Sequence, residues 1–141
     1  MDIRKLCDTY AVSPQIDPED VAAIKDAGFG TIICNRPDAE IPPSHHASAV
    51  KDAAEKIGLT FVEIPLTHQT MSLELAKQQR DAIEASGKPA FAYCASGTRS
   101  SIIWALGQAS DQSSDTLINA ASAAGYDLTA LKPTLDSLYK D

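Results

Sequence analysis

The run Cys94-Ala95-Ser96-Gly97-Thr98-Arg99-Ser100 holds the residue types that thiol chemistry on an anion requires. A thiolate, not a thiol, is the nucleophile, and a positive environment favours it. Three sources of positive field converge on this run. A loop entering a helix offers unsatisfied N–H groups, and the helix dipole adds its positive end. Arg99 adds a guanidinium that can fork onto two oxygens of an oxyanion. Gly97 allows the tight turn, and the small Ala95, Ser96 and Thr98 leave room for a ligand. Ala95, Ser96, Gly97, Thr98 and Arg99 are therefore the expected anion-binding residues, with Cys94 as nucleophile. Ser100 either donates a hydrogen bond to the thiolate or simply caps the helix.

Other chemically capable residues fall near the ends of neighbouring segments. Asp38, in Arg36-Pro37-Asp38, is a candidate acid, with Arg36 as a second anion contact. The alternative there is an Arg–Asp pair organising the loop together with Glu40. His68, in Pro65-Leu66-Thr67-His68-Gln69-Thr70, is a second candidate proton donor. Cys34 could be a resolving thiol for Cys94, although its neighbours Ile32 and Ile33 favour core packing. His45-His46 open a helix as adjacent residues, which cannot face one ligand, so metal binding is not expected there. Tyr93 and Trp104 read as packing residues.

The elements that must position these residues alternate. Strands are expected over 9–12, 31–35, 60–64 and 89–94. Asp17-Pro18-Glu19-Asp20 announces a helix ending at Gly28, with Val21, Ile24 and Ala27 as its buried face. Val50, Ala53, Ala54 and Ile57 keep helical spacing and stop at Gly58. Ser72 caps a helix to about Ala85, another runs from about Ser100 to Gln108, and the tail reads as helices 114–124 and 128–139 separated by Gly125. Strands alternating with helices give an α/β single domain over 1–141, with a central, mostly parallel sheet flanked by helices. Ligands in such sheets bind beyond the carboxyl ends of the strands. The segments Cys34–Asp38, Pro65–Gln69 and Cys94–Arg99 should therefore share one rim.

The bulk properties fit this picture. Hydrophobic residues make up 44 % and charged ones 22 %, and a net charge of −7 argues against a nucleic-acid or anionic-membrane surface. No apolar run is long enough to span a bilayer. Three cysteines without zinc-like spacing point to a reducing cytoplasm, and neither metal nor cofactor is expected. The expected partner is a small anionic substrate.

The loop resembles the cysteine-phosphatase signature, which is Cys, five residues, then Arg followed by Ser or Thr. It equally resembles the rhodanese loop, Cys-x-x-Gly-x-Arg. Tyr10 to Ile16, Pro18 to Val21, Ala27-Gly28-Phe29, Asn35 to Asp38 and Tyr93-Cys94 with Gly97 to Ser101 and Trp104 together resemble one family. It is the bacterial phosphatase-like domain found also as part of beta-lactamase hydrolase-like proteins, matched from about residue 9 to 109. The resemblance implies a dual-specificity-phosphatase-like fold and a phosphate-ester hydrolase with a thiophosphoryl-cysteine intermediate, Ser100 assisting thiolate departure. Two departures keep a rhodanese-like sulfurtransferase open as the alternative. Only Ala95, Ser96, Gly97 and Thr98 separate Cys94 from Arg99, and the loop from Pro65 to Thr70 lacks an Asp. A third reading is an anion-binding module without turnover.

Overall fold

Side chains on a strand alternate between faces, and here the alternation divides the interior in two. The computed structural model describes residues 1–140. Its strands are β1 (Arg4–Cys7), β2 (Tyr10–Ser13), β3 (Thr31–Cys34), β4 (Thr60–Glu63) and β5 (Ala90–Tyr93), ordered β1-β2-β5-β3-β4. β1 runs antiparallel to β2, and every other pairing is parallel. On one face Tyr10, Val12, Ile33, Ala90 and Ala92 meet α3 (Leu73–Ala85), α4 (Thr98–Gln108), α5 (Ser114–Ala123) and α6 (Lys132–Leu138). On the other, Ala11, Ile32, Cys34, Phe91 and Tyr93 meet α1 (Val21–Asp26) and α2 (Ala47–Lys56). β2, β3 and β5 are therefore covered on both sides, as a parallel sheet requires.

Local signals in the chain set most boundaries. Gly28, Gly58 and Gly125 all take positive φ where helices end. The Ser72 hydroxyl accepts the Leu75 N–H at 3.1 Å and opens α3. The first helix enters through a 3-10 turn, Pro18–Asp20, where the Asp20 carboxylate accepts the Asp17 N–H at 2.9 Å. The final helix likewise begins as a 3-10 turn, Thr129–Leu131, with α6 starting at Lys132 and Pro133 in its first turn. His45 and His46 precede α2 instead of opening it, because Pro43–His45 form a 3-10 turn of their own. β1 has no counterpart among the expected strands. Trp104 and Tyr10 stack on the α3–α6 face, with ring centroids 6.1 Å apart.

Four strands pointing the same way bring their following loops to one rim. Hydrogen bonds join those loops: Gln15 N–H to Ala95 C=O at 3.3 Å, Asn35 N–H to Tyr93 C=O at 2.8 Å, and Leu66 N–H to Asn35 C=O at 2.9 Å. The three segments expected to share a rim do so.

Candidate active site

β5 delivers Cys94 to the rim, and α4 begins only four residues later at Thr98. The chain turns within that distance because Gly97 adopts φ +98°. The Cys94 side chain is buried, and its sulfur accepts the Gly97 N–H at 3.1 Å. Ser96 and Thr98 brace the outside of the turn. The Ser96 hydroxyl donates to Thr98 Oγ1 at 2.9 Å and accepts the Thr98 N–H at 3.3 Å. Ala95 and Ser96 are exposed, Thr98 is half-buried, and Arg99 reaches inward.

A guanidinium has five N–H donors, and three on Arg99 are spent on protein. Nη1 and Nη2 grip the two oxygens of Glu40 at 2.8 and 2.7 Å, and Nη1 also donates to the Leu66 carbonyl at 2.8 Å. Nε–H and the second Nη2–H are left, and they form one side-on fork. The hydrogen bond from Arg99 holds Glu40 below the usual carboxylate range. Glu40 in turn raises the Arg99 guanidinium, and Cys94 adds to that effect. Arg36 donates from Nε to Glu40 at 3.3 Å and from Nη1 to Gln15 at 3.3 Å. Two guanidiniums thus share one carboxylate.

The remaining expected residues are placed as follows. The Ser100 hydroxyl donates to Asn35 Oδ1 at 2.8 Å. That direction is forced. Tyr10 must donate to the Ser100 carbonyl (2.8 Å), so it accepts from Gln79 Nε2 (3.0 Å). Gln79 and Asn35 then exchange reciprocal amide bonds at 2.9 and 3.1 Å, and Asn35 Nδ2 also donates to the Ile64 carbonyl. Asn35 Oδ1 is left able only to accept, which commits the Ser100 proton to it. Asp38 accepts the Ala47 N–H at 2.8 Å and so caps α2, with His46 4.0 Å from its other oxygen. Arg36 therefore pairs with Glu40, not with Asp38. His68 is exposed on the turn Thr67–Thr70, two residues beyond the Leu66 carbonyl that holds Arg99. Cys34 is buried on the α1–α2 face, its thiol on the Arg36 carbonyl at 3.4 Å, and burial pushes that thiol up. Continued alternation from Tyr93, which lies on the α1–α2 face, turns Cys94 toward the opposite one.

Several contributors carried no local signal. Glu40 lies 59 residues from Arg99, and Gln79 lies 44 from Asn35. Tyr126 donates its phenol proton to the Ser96 carbonyl at 2.9 Å from 30 residues away. Among the described residues, no group of three or more His, Cys, Asp or Glu is placed to hold a metal ion. No described helix is long and apolar enough to cross a membrane.

The chain has relatives in sequence and in fold. Residues 2–111 match the family described as the phosphatase-like domain of beta-lactamase hydrolase-like protein. A beta-lactamase hydrolase-like protein of Agrobacterium fabrum is 34% identical over 126 residues, which are 86% of this chain and 28% of that protein. The chain thus spans under a third of the length of that relative. A crystal structure from Neisseria meningitidis, described as a "putative phosphatase", superposes with a TM-score of 0.85 at 34% identity, covering 98% of this chain and 99% of that one. Tk-PTP in its active form gives a TM-score of 0.73 at 20% identity, covering 97% and 95%, a likeness of fold alone. With its five-stranded α/β sheet and its match over residues 2–111, the chain belongs to the phosphatase-like domain family of beta-lactamase hydrolase-like proteins.

Proposed function

We propose that this domain is a cysteine-dependent phosphatase acting on a small phosphate ester. One observation carries the reading: the Gly97 amide on Cys94 Sγ at 3.1 Å, at the entrance to α4, with the Arg99 guanidinium close enough to Cys94 to be raised by it. Attack by the Cys94 thiolate forms an S–P bond as the bond from phosphorus to the leaving oxygen breaks. The loop amides other than those of Gly97 and Thr98, which are given to Cys94 and Ser96, join the Arg99 fork in holding the non-bridging oxygens where charge develops. Water then attacks phosphorus, releasing inorganic phosphate and restoring the thiolate. His68 is the proposed donor to the leaving oxygen, since Asp38 is occupied as the cap of α2. Ser100 contributes by anchoring α4 through Asn35, in place of a hydrogen bond to the departing sulfur. The phosphatase-like family membership supports this reading. Three free thiols suit a reducing compartment, and a cytoplasmic location is part of the proposal.

The four-residue spacer between Cys94 and Arg99 favours a second reading, sulfur transfer. Cys94 would take sulfane sulfur from a donor such as thiosulfate, releasing sulfite, and pass it from the persulfide to a thiophile. Aryl-phosphate hydrolysis and thiosulfate-to-cyanide transfer, measured together on wild type and Cys94→Ser, separate the two. The expected result is phosphate release that is lost, by at least about a thousandfold, in the variant. Thiocyanate formation without phosphate release would transfer the assignment to sulfur chemistry. Activity surviving in Cys94→Ser would end both. Neither activity, with sulfate protecting Cys94 from alkylation, would leave an anion-binding module.

A further inference from the structure

We infer that Tyr126 is a positioning residue that holds the peptide between Ser96 and Gly97 with its N–H turned toward the nucleophile. The inference rests on Cys94 being the reactive thiol, as proposed above. In a trans peptide the C=O and N–H point in opposite directions, and no peptide bond here is cis. The Ser96 carbonyl accepts the Tyr126 hydroxyl at 2.9 Å, while the amide of the same peptide unit, Gly97 N–H, donates to Cys94 Sγ at 3.1 Å. Anchoring one end therefore aims the other. A brace is needed at this point because Gly97, at φ +98°, has the backbone freedom that makes rotation of the adjoining peptide cheap. A rotated peptide would turn its carbonyl toward the sulfur and oppose the thiolate.

Packing makes the brace stiff. A Cβ on Gly97 would sit 2.1 Å from the Tyr126 hydroxyl and 2.8 Å from its Cζ, so the phenol fills the space above the turn. The ring is buried. Arg4, from β1, lies over its face with Cζ 5.2 Å from the centroid, itself tied to Asp2 at 2.8 Å and to the Ala124 carbonyl at 3.3 Å. Burial raises the Tyr126 phenol and keeps it a donor, with Arg4 opposing part of that rise. The family match ends at residue 111, so this support comes from a segment that the match does not cover.

The test compares the 141-residue chain with Tyr126→Phe, which keeps the ring and removes only the hydroxyl. The readout is the far-ultraviolet absorbance of thiolate as a function of pH, each protein measured as a difference against its own Cys94→Ser counterpart. Loss of one such hydrogen bond should lower the thiolate-to-thiol ratio near neutrality about two- to tenfold, with the signal recovering at high pH. kcat should fall by a similar factor with KM little changed. Arg4→Gln, which leaves the hydroxyl in place, should move the same signal in the same direction by less and serves if Tyr126→Phe does not fold. A folded Tyr126→Phe whose thiolate signal superimposes on wild type would overturn the brace and leave the proposed function standing. A wild type without Cys94-dependent thiolate signal near neutrality would remove both.

Discussion

Glu40 and Arg99 divide the charge of the rim between them. A carboxylate gripping both terminal nitrogens fixes the plane of the guanidinium, so its free fork faces one direction and does not sweep. The folded-state value of Glu40 is lowered from 4.5 by the Arg99 hydrogen bond. A depressed carboxylate contributes stability that is fully present above its unfolded value and lost as pH falls through the folded one. Thermal melts of wild type and Glu40→Gln should thus show a constant gap from neutrality down to about pH 5, closing on further acidification. A gap that widened in acid would reverse the assignment. Arg99 was legible from its spacing to Cys94, and so was a role for Arg36 on the rim. The partner of Arg99 was not, because ion pairs across 59 residues leave no trace in a local pattern. Asp38 misleads for a similar reason. It caps α2 from nine residues before the amide it holds, outside the spacing by which caps are read.

At the scale of elements, α3 is joined to the sheet by more than apolar contact. Gln79 is fully buried, and its three hydrogen bonds go to Asn35 at the end of β3 and to Tyr10 on β2. Replacing it by Leu removes all three, leaving the Asn35 amide and the Tyr10 hydroxyl short of partners where water cannot reach. Urea unfolding of Gln79→Leu should show a loss of about 1–3 kcal/mol. The α2 stripe, the Ser72 cap and the alternating strands were readable because each is written within a few residues. Val50 and Ala54 are fully buried, as their spacing requires. β1 was not readable, since Arg4-Lys5-Leu6-Cys7 shows neither alternation nor a branched run. It is a strand because β2 offers it an edge, with Arg4 opposite Val12 and Lys5 opposite Ala11.

Across the whole molecule, the α3–α6 face is one core that ignores the boundary of the family match. Leu117, Ala121, Tyr126, Leu128 and Leu135, all beyond residue 111, pack in the same cluster as Val12, Ile33 and Trp104. A chain ending at residue 111 should lose cooperative unfolding and near-ultraviolet dichroism, not merely activity. Retention of a sharp melt would show those helices to be dispensable. The three thiols are likewise distributed by the architecture. Cys7 lies opposite Tyr10, at the end of β2 away from the rim; Cys34 faces α1 and α2; and Cys94 faces the other side of the sheet. Strand alternation turns Cys94 away from Cys34, and Cys7 lies at the other end of the sheet, so neither is placed to capture a sulfenic acid on Cys94 as a disulfide. Protection from over-oxidation then falls to condensation with a backbone nitrogen of the loop or to a small thiol entering over the rim, and where neither acts the sulfur proceeds to irreversible oxidation.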